Sequence, residues 1–377
     1  MVAAGLAGFP PATCRRIVVK IGSALLVDPA GAIRSEWLAS VVADIAARHA
    51  AGQQIIVVSS GAIALGARRL ALPKGGRGSL DDAQAAAAVG QIALSQHWAG
   101  LLGERGMTAA QMLLTLDDLE NRRRYLNAAA TLERLLALGV VPVINENDSV
   151  ATTEIRFGDN DRLAARIGQA ARADAVVLLS DVDGLYTANP HSNPDATLVR
   201  DVKRIDAAIL AMADGGSGSG MGSGGMGSKI EAARIATGAG THLAIISGLT
   251  PSPLSRWETD GKGTIFHAQS GNRARKSWLA GRLTTRGTII VDAGAARALA
   301  KGNSLLPAGV RGVTGSFARG DVVDILDVEG QRIARGLAEY DSADATRIAG
   351  KRSEEIGAIL GDTFRPALVH RDHMVML

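Results

Sequence analysis

Six short runs rich in Val, Ile and Leu, each followed by a longer stretch with helical spacing, fill the first 250 residues of this chain. That alternation leaves few architectures open. The runs are 17–19, 54–58, 108–113, 141–144, 175–179 and 242–246. Between them, residues 35–51 place Leu38, Val41, Val42 and Ile45 on one face, at the period of an amphipathic helix. Stretches 84–102, 121–138, 161–171 and 229–239 read the same way. Strand–helix–strand repetition predicts an α/β fold: a mostly parallel sheet, joined by right-handed crossovers and covered by helices on both faces. The composition agrees. Hydrophobic residues make up 47% of the chain but aromatic ones only 3%, so the core has to be built from Ala, Val, Leu and Ile. Those residues fill parallel strands buried on both faces.

The pattern changes near Ile265. Segment 251–277, with Pro251 and Pro253, reads as a connection, and short runs at 287–291, 310–313, 321–326 and 332–336 are spaced by turn residues. They predict a second, small, mainly β domain, and 377 residues is ample for two cores. The expected division is a disordered extension over 1–14, an α/β domain over 15–267, a linker over 268–279, the β domain over 280–364 and a tail over 365–377.

Residues 275–377 hold 15 Lys and Arg against 12 Asp and Glu, within a formal net charge of only +4 for the whole chain. That is far from the basic footprint of a nucleic-acid binder. The one cysteine, Cys14, excludes an intrachain disulfide and suits a reducing compartment. No apolar run reaches the ~20 residues of a membrane span. The opening MVAAGLAGFPPAT has no basic segment and contains two prolines, unlike a secretory signal. A cytoplasmic protein is expected.

In an open parallel sheet, ligands sit beyond the carboxyl ends of the strands. The first strand runs into Lys20-Ile21-Gly22-Ser23, where backbone N–H groups and an ammonium can meet phosphate; an exposed lysine beside a tight turn would look alike. The second runs into Ser59-Ser60-Gly61-Ala62, small residues at a helix start that suit a carboxylate or simply cap the helix. After the fourth come Asn145-Glu146-Asn147-Asp148 and Gly158-Asp159-Asn160-Asp161, oxygen-rich groups of the kind an α-ammonium needs. One of the last three residues also suits a helix cap. The fifth strand leads into Ser180-Asp181-Val182-Asp183-Gly184, a possible nucleotide border or an ordinary strand exit. The glycine-rich stretch 215–228 ends in Gly224-Gly225-Met226-Gly227-Ser228-Lys229. It is neither a Walker A loop nor, with no strand directly before it, a dinucleotide fingerprint. Side-chain-poor backbone followed by a lysine at a helix start can still wrap phosphates. The seven His and one Cys show no zinc-ligand spacing, and no nucleophile elbow is present.

Taken together, these motifs resemble the glutamate 5-kinases, a group of the amino-acid-kinase family with a C-terminal PUA domain. The likeness runs in order through 19–23, 59–64, 141–148, 158–161, 184–187 and 224–229, then through 304–307 and 313–317. It implies an amino-acid-kinase fold over 15–267, ATP with Mg²⁺, L-glutamate as substrate and L-glutamyl 5-phosphate as product. By matching motif, Ser60, Gly61, Asp148 and Asn160 would bind glutamate. Lys20, Asp161 and Lys229 would serve catalysis, Lys20 at the transferring phosphoryl group and Asp161 as an orienting group. Lys20, Ser180, Asp181, Ser223, Gly224, Gly225, Met226, Gly227, Ser228 and Lys229 would border ATP. No protein side chain is assigned to the metal. Ser180 stands where the family usually has Thr, and the glycine stretch is slightly long. The resemblance further implies a dimer or tetramer and inhibition by proline.

Two rival readings stay open at this point. One is a kinase of the same fold acting on aspartate, acetylglutamate, carbamate or UMP; the Asn and Asp clusters argue against those without a free α-amino group. The other is RNA binding through the PUA-like region, for which a charge of +3 and few stacking aromatics are weak support.

Overall fold

Ile17, Val18, Val19 and Ile21, all buried, make a strand that can only sit in the middle of a sheet. It does so in the computed structural model, which describes residues 8–28, 30–150, 160–190, 192–214, 225–269, 285–361 and 365–376. The strands of the first part are β1 (Arg16–Ile21), β2 (Gln54–Val58), β3 (Ala109–Leu114), β4 (Val141–Glu146), β5 (Ala175–Ser180), β6 (Leu185–Tyr186), β7 (Leu198–Val199), β8 (Asp201–Val202), β9 (His242–Ser247) and β10 (Thr264–Phe266). The helices are α1 (Ser23–Leu26), α2 (Ser35–Ala50), α3 (Ala62–Arg69), α4 (Leu80–Gly103), α5 (Leu116–Glu120), α6 (Arg122–Ala137), α7 (Asn160–Ala170), α8 (Ala207–Asp214), α9 (Met226–Gly238) and α10 (Pro253–Asp260).

Eight strands form one sheet in the order β3-β4-β2-β1-β5-β9-β10-β8. Every pairing in it is parallel except β9 with β10. From β1 the chain goes to β2 on one side, while β5 lies on the other, with Lys20 opposite Val58 and Leu178. That reversal opens a crevice at the carboxyl ends of the three strands. Helices α3 and α4 meet backbone to backbone at the edge of this crevice. A Cβ on Gly66 would lie 1.8 Å from the Ala86 carbonyl oxygen, and one on Gly90 1.8 Å from that of Ala62. Glycine is required at both positions.

Three expectations need correction. Of the extension foreseen as disordered, Gly8, Phe9 and Cys14 are buried: Phe9 is fully buried and edge-on to Trp257 at 5.1 Å. Its carbonyl accepts from Arg48 Nη1 at 3.1 Å and Gln53 Nε2 at 2.9 Å. The region around 251–267 is no bare connection but contains α10 and β10. Asp44, on α2, caps α10 by accepting from the Leu254 N–H at 2.9 Å and the Ser255 hydroxyl at 2.5 Å. A cap from some 210 residues away leaves no local signal. The expected linker at 268–279 lies almost wholly outside the described residues.

By its contacts the chain divides into two units, one of residues up to Asn121 with Asn127–Gln269, the other of Arg122–Leu126 with the chain from Ser270 onward. The second contains β11 (Gly287–Val291), β12 (Val310–Gly315), β13 (Val322–Leu326), β14 (Arg332–Ala338) and β15 (Val369–Met376), in the order β12-β11-β13-β14-β15. Ile289, Val291, Val323, Ile325, Ala334 and Val369 fill its core. The third correction falls here: the residues foreseen as a tail supply β15, antiparallel to β14. The run His370-Arg371-Asp372-His373 disguises it, because four polar residues in a row break the apolar alternation by which a strand is read.

Candidate active site

Lys20 closes β1 with its side chain turned inward, and it is only 7% exposed. Its Nζ lies 2.6 Å from Asp161 Oδ1, and Lys229 Nζ lies 3.1 Å from Asp161 Oδ2. Asp161 is 1% exposed, in the first turn of α7, and Lys229 is in the first turn of α9. Three elements thus bring two ammonium groups onto one carboxylate. Burial alone would raise the Asp161 carboxyl, but the charges and hydrogen bonds of Lys20 and Lys229 outweigh it and hold the group below the usual carboxylate range. Three ionised groups with one excess positive charge form a strong attractor for an anion. Gly22 adjoins the Lys20 ammonium: a Cβ added there would lie 3.8 Å from Nζ, in ordinary contact.

The residue before Asp161 faces a different set of partners. Asn160, 3% exposed, shares its Nδ2 hydrogens among the Ser60 hydroxyl at 2.7 Å, the Ser59 carbonyl at 2.8 Å and Asn145 Oδ1 at 3.1 Å. Its own Oδ1 is buried without a hydrogen-bond partner among the described residues. Gly61, at the N-terminus of α3, has φ +100°, and a Cβ there would press within 3.0 Å of Val27 and 3.2 Å of Leu26. Glycine therefore both permits the turn and clears the ground beside Ser60. Asp148, in the turn after β4, is buried and makes no hydrogen bond or ion pair with a described side chain. Burial pushes its carboxyl up to about 6, against a smaller opposing pull from the Arg77 guanidinium. The unpartnered Asn160 Oδ1 and the Asp148 carboxylate both suit a ligand that brings its own donors, such as an ammonium group.

Ser180 ends β5, and its hydroxyl donates to Asp181 Oδ1 at 3.1 Å. Gly225 caps α9, while Met226, Gly227, Ser228 and Lys229 form its first turn rather than a loop before it. The Ser228 and Lys229 N–H groups donate to the Gly225 carbonyl within this turn, so the Met226 and Gly227 N–H groups and the Lys229 charge are what the helix start offers a phosphate. Ser223, Gly224 and Asp159 lie outside the described residues. Among the described residues no group of three or more His, Cys, Asp or Glu side chains is placed to hold a metal ion. Mg²⁺ that arrives on ATP fits this donor set, because it is usually held through phosphate oxygens, waters and one or two carboxylates. The sequence motifs pointed to Asn145 only as part of a cluster; its place as the acceptor for Asn160 was missed.

Fold and site together define a phosphotransferase of the amino acid kinase type. The model of the amino acid kinase family matches residues 15–247, and that of the PUA domain matches residues 287–360. The chain is 65% identical over 369 residues to a glutamate 5-kinase of Zymomonas mobilis subsp. mobilis, covering 98% of this chain and 93% of that one. It is equally identical to a glutamate 5-kinase of Sphingopyxis alaskensis, covering 98% and 99% of the two chains. Among solved structures, a carbamate kinase from Giardia lamblia bound to AMP-PNP is similar at 15% identity and a TM-score of 0.49, over 67% of this chain and 98% of that one. The chain belongs to the amino acid kinase family and, within it, to the glutamate 5-kinases.

Proposed function

We propose that this chain transfers the γ-phosphoryl group of ATP to the γ-carboxylate of L-glutamate, giving ADP and L-glutamyl 5-phosphate, the first step of proline biosynthesis from glutamate. The observation that carries the reading is the adjacency of Asn160 and Asp161. One holds Ser60 and the other holds two lysines, so an acceptor pocket and a phosphoryl cradle share a single helix start. A glutamate side chain titrates near 4.3, so at pH 7 the nucleophile is already ionised and no general base is needed. A γ-carboxylate oxygen forms the new bond to phosphorus as the bond to the ADP oxygen breaks. The barrier is the approach of two anions. Lys20 and Lys229 offset the charge on the phosphoryl oxygens, and Asp161 sets where their ammonium groups stand. Bound Mg²⁺ would add further charge neutralisation at the β- and γ-phosphates. Asp148 and Asn160 Oδ1 would receive the substrate ammonium, and Ser180, Asp181 and the α9 start would border the nucleotide.

The test is ADP release with L-glutamate, aspartate, acetylglutamate, carbamate and UMP in parallel, with hydroxylamine trapping the acyl phosphate. Glutamate should be strongly preferred, and acetylglutamate, which lacks the ammonium, should be rejected. Equal turnover of acetylglutamate would contradict the assigned pocket. Family resemblance further supports inhibition by proline at or near the glutamate site, a homo-oligomer in solution and a cytoplasmic location; full activity in millimolar proline would count against the first.

A further inference from the structure

The Asn160 amide can serve as described only if it is held one way round. Its NH₂ must face Ser60 so that its Oδ1 is left for the ligand. Two groups hold it so: the Ser59 carbonyl accepts from Asn160 Nδ2 at 2.8 Å, and Asn145 Oδ1 accepts from Asn160 Nδ2 at 3.1 Å and from the Glu146 N–H at 2.9 Å. Asn145 is itself an amide with two nearly identical faces. Turned over, it would present NH₂ to the NH₂ of Asn160 and to the Glu146 N–H, donor against donor. One side chain opposes that turn from outside the strand-end motifs. Gln91, half-buried on α4, accepts through Oε1 from Asn145 Nδ2 at 2.8 Å.

We infer that Gln91 is a positioning residue for the acceptor site: through Asn145 it reinforces the polarity that the Ser59 carbonyl gives the Asn160 amide, and so keeps the buried Asn160 Oδ1 facing the substrate ammonium. The relay runs Gln91 Oε1, Asn145 Nδ2 and Oδ1, Asn160 Nδ2, Ser60 Oγ, each link a donor–acceptor pair between 2.7 and 3.1 Å. Gln91 follows Gly90, whose backbone rests on that of α3, so the residue's placement against the end of β4 is fixed by helix packing. Among the described residues no side chain of the relay bonds Lys20, Asp161 or Lys229, and the two sides meet only through the backbone between Asn160 and Asp161. Gln91 therefore acts on acceptor binding, not on phosphoryl transfer.

The inference rests on the glutamate kinase reading, and kinetics of the full-length protein separate the two. Gln91→Leu removes the acceptor with similar bulk, and Gln91→Glu keeps it. Loss of one net hydrogen bond is worth roughly three- to tenfold in binding. Gln91→Leu should raise the glutamate KM by about that factor, with kcat and ATP KM within about twofold of wild type. Gln91→Glu should bring the glutamate KM back to within about threefold, because a carboxylate also accepts from Asn145 Nδ2. Melting temperatures of both variants show that they fold. An unchanged glutamate KM in Gln91→Leu, a fall in kcat matching the rise in KM, or a Gln91→Glu variant as impaired as Gln91→Leu would overturn the relay. Failure of the wild-type protein to turn over glutamate would instead overturn the functional reading beneath it.

Discussion

Replacing Asp161 by Asn tests the centre of the site, because one atom changes and two ammonium groups lose their shared counter-charge. Lys20 and Lys229 are 7% and 6% exposed, so neither can turn freely to water. Leaving a buried charge without its partner costs ~3–5 kcal/mol. The Asn oxygen still accepts from one lysine, which favours the lower end, about 3 kcal/mol. At roughly 2–4 °C per kcal/mol for a domain of this size, the melting temperature should fall by about 6–12 °C. Two uncompensated cations also bind polyphosphate well, so saturating a non-hydrolysable ATP analogue should recover much of that loss. Turnover should not recover: with the lysines no longer held at one carboxylate, kcat should fall about 100-fold while ATP KM does not rise. The sign of the pH effect follows from the depressed carboxyl. Its stabilisation is present above the ordinary value of about 3.9 and is lost as pH falls through the folded value, so variant and wild type should converge in acid. Differential scanning fluorimetry with and without nucleotide, beside steady-state kinetics, measures both arms. A variant melting within about 2 °C of wild type, or keeping more than about a tenth of its kcat, would refute the argument.

The other predictions concern single residues. Asp148 has its pKa raised to about 6, so its own contribution to ligand-free stability is greatest below the unfolded value and falls as pH rises through that range. Asp148→Asn should therefore stabilise the ligand-free protein at pH 7.5, by at most about 3 kcal/mol, while glutamate binding collapses; a variant no more stable in urea would contradict this. In the wild type, glutamate affinity should weaken as pH drops through about 6, measured by titration calorimetry. Gly66→Ala forces a methyl group against the Ala86 carbonyl. It should cost about 3 kcal/mol or more and raise glutamate KM, because the start of α3 moves with it; unaltered kinetics would show that α3 can shift freely. Cys14 is buried and its thiol is pushed up to about 11, so it should resist thiol reagents at pH 8 until the protein unfolds. Rapid labelling of the native protein would be inconsistent with that burial.

Much of the fold was legible because it is local. Alternating apolar runs of two periods located β1, β2, β4, β5 and β9 and helices α2, α4, α6, α7 and α9 to within a few residues; the strand-end rule then singled out Lys20, Ser60, Asp148 and Asn160, and the glycine-rich stretch singled out Lys229. What escaped notice depends on distant partners. Phe9 needs Trp257 to become core, α10 needs Asp44 from α2 for its cap, and β15 needs β14 as its pairing partner. Sequence alone thus determined which residues stand at the ends of the strands, because period and turn chemistry are properties of neighbouring residues. Only the tertiary structure decided that Asp161 joins two lysines more than 200 residues apart in the chain, and that Gln91 reaches Asn145 from another helix. Those contacts arise when the sheet closes and helices pack across it, and pairings made at that distance leave no mark on local spacing.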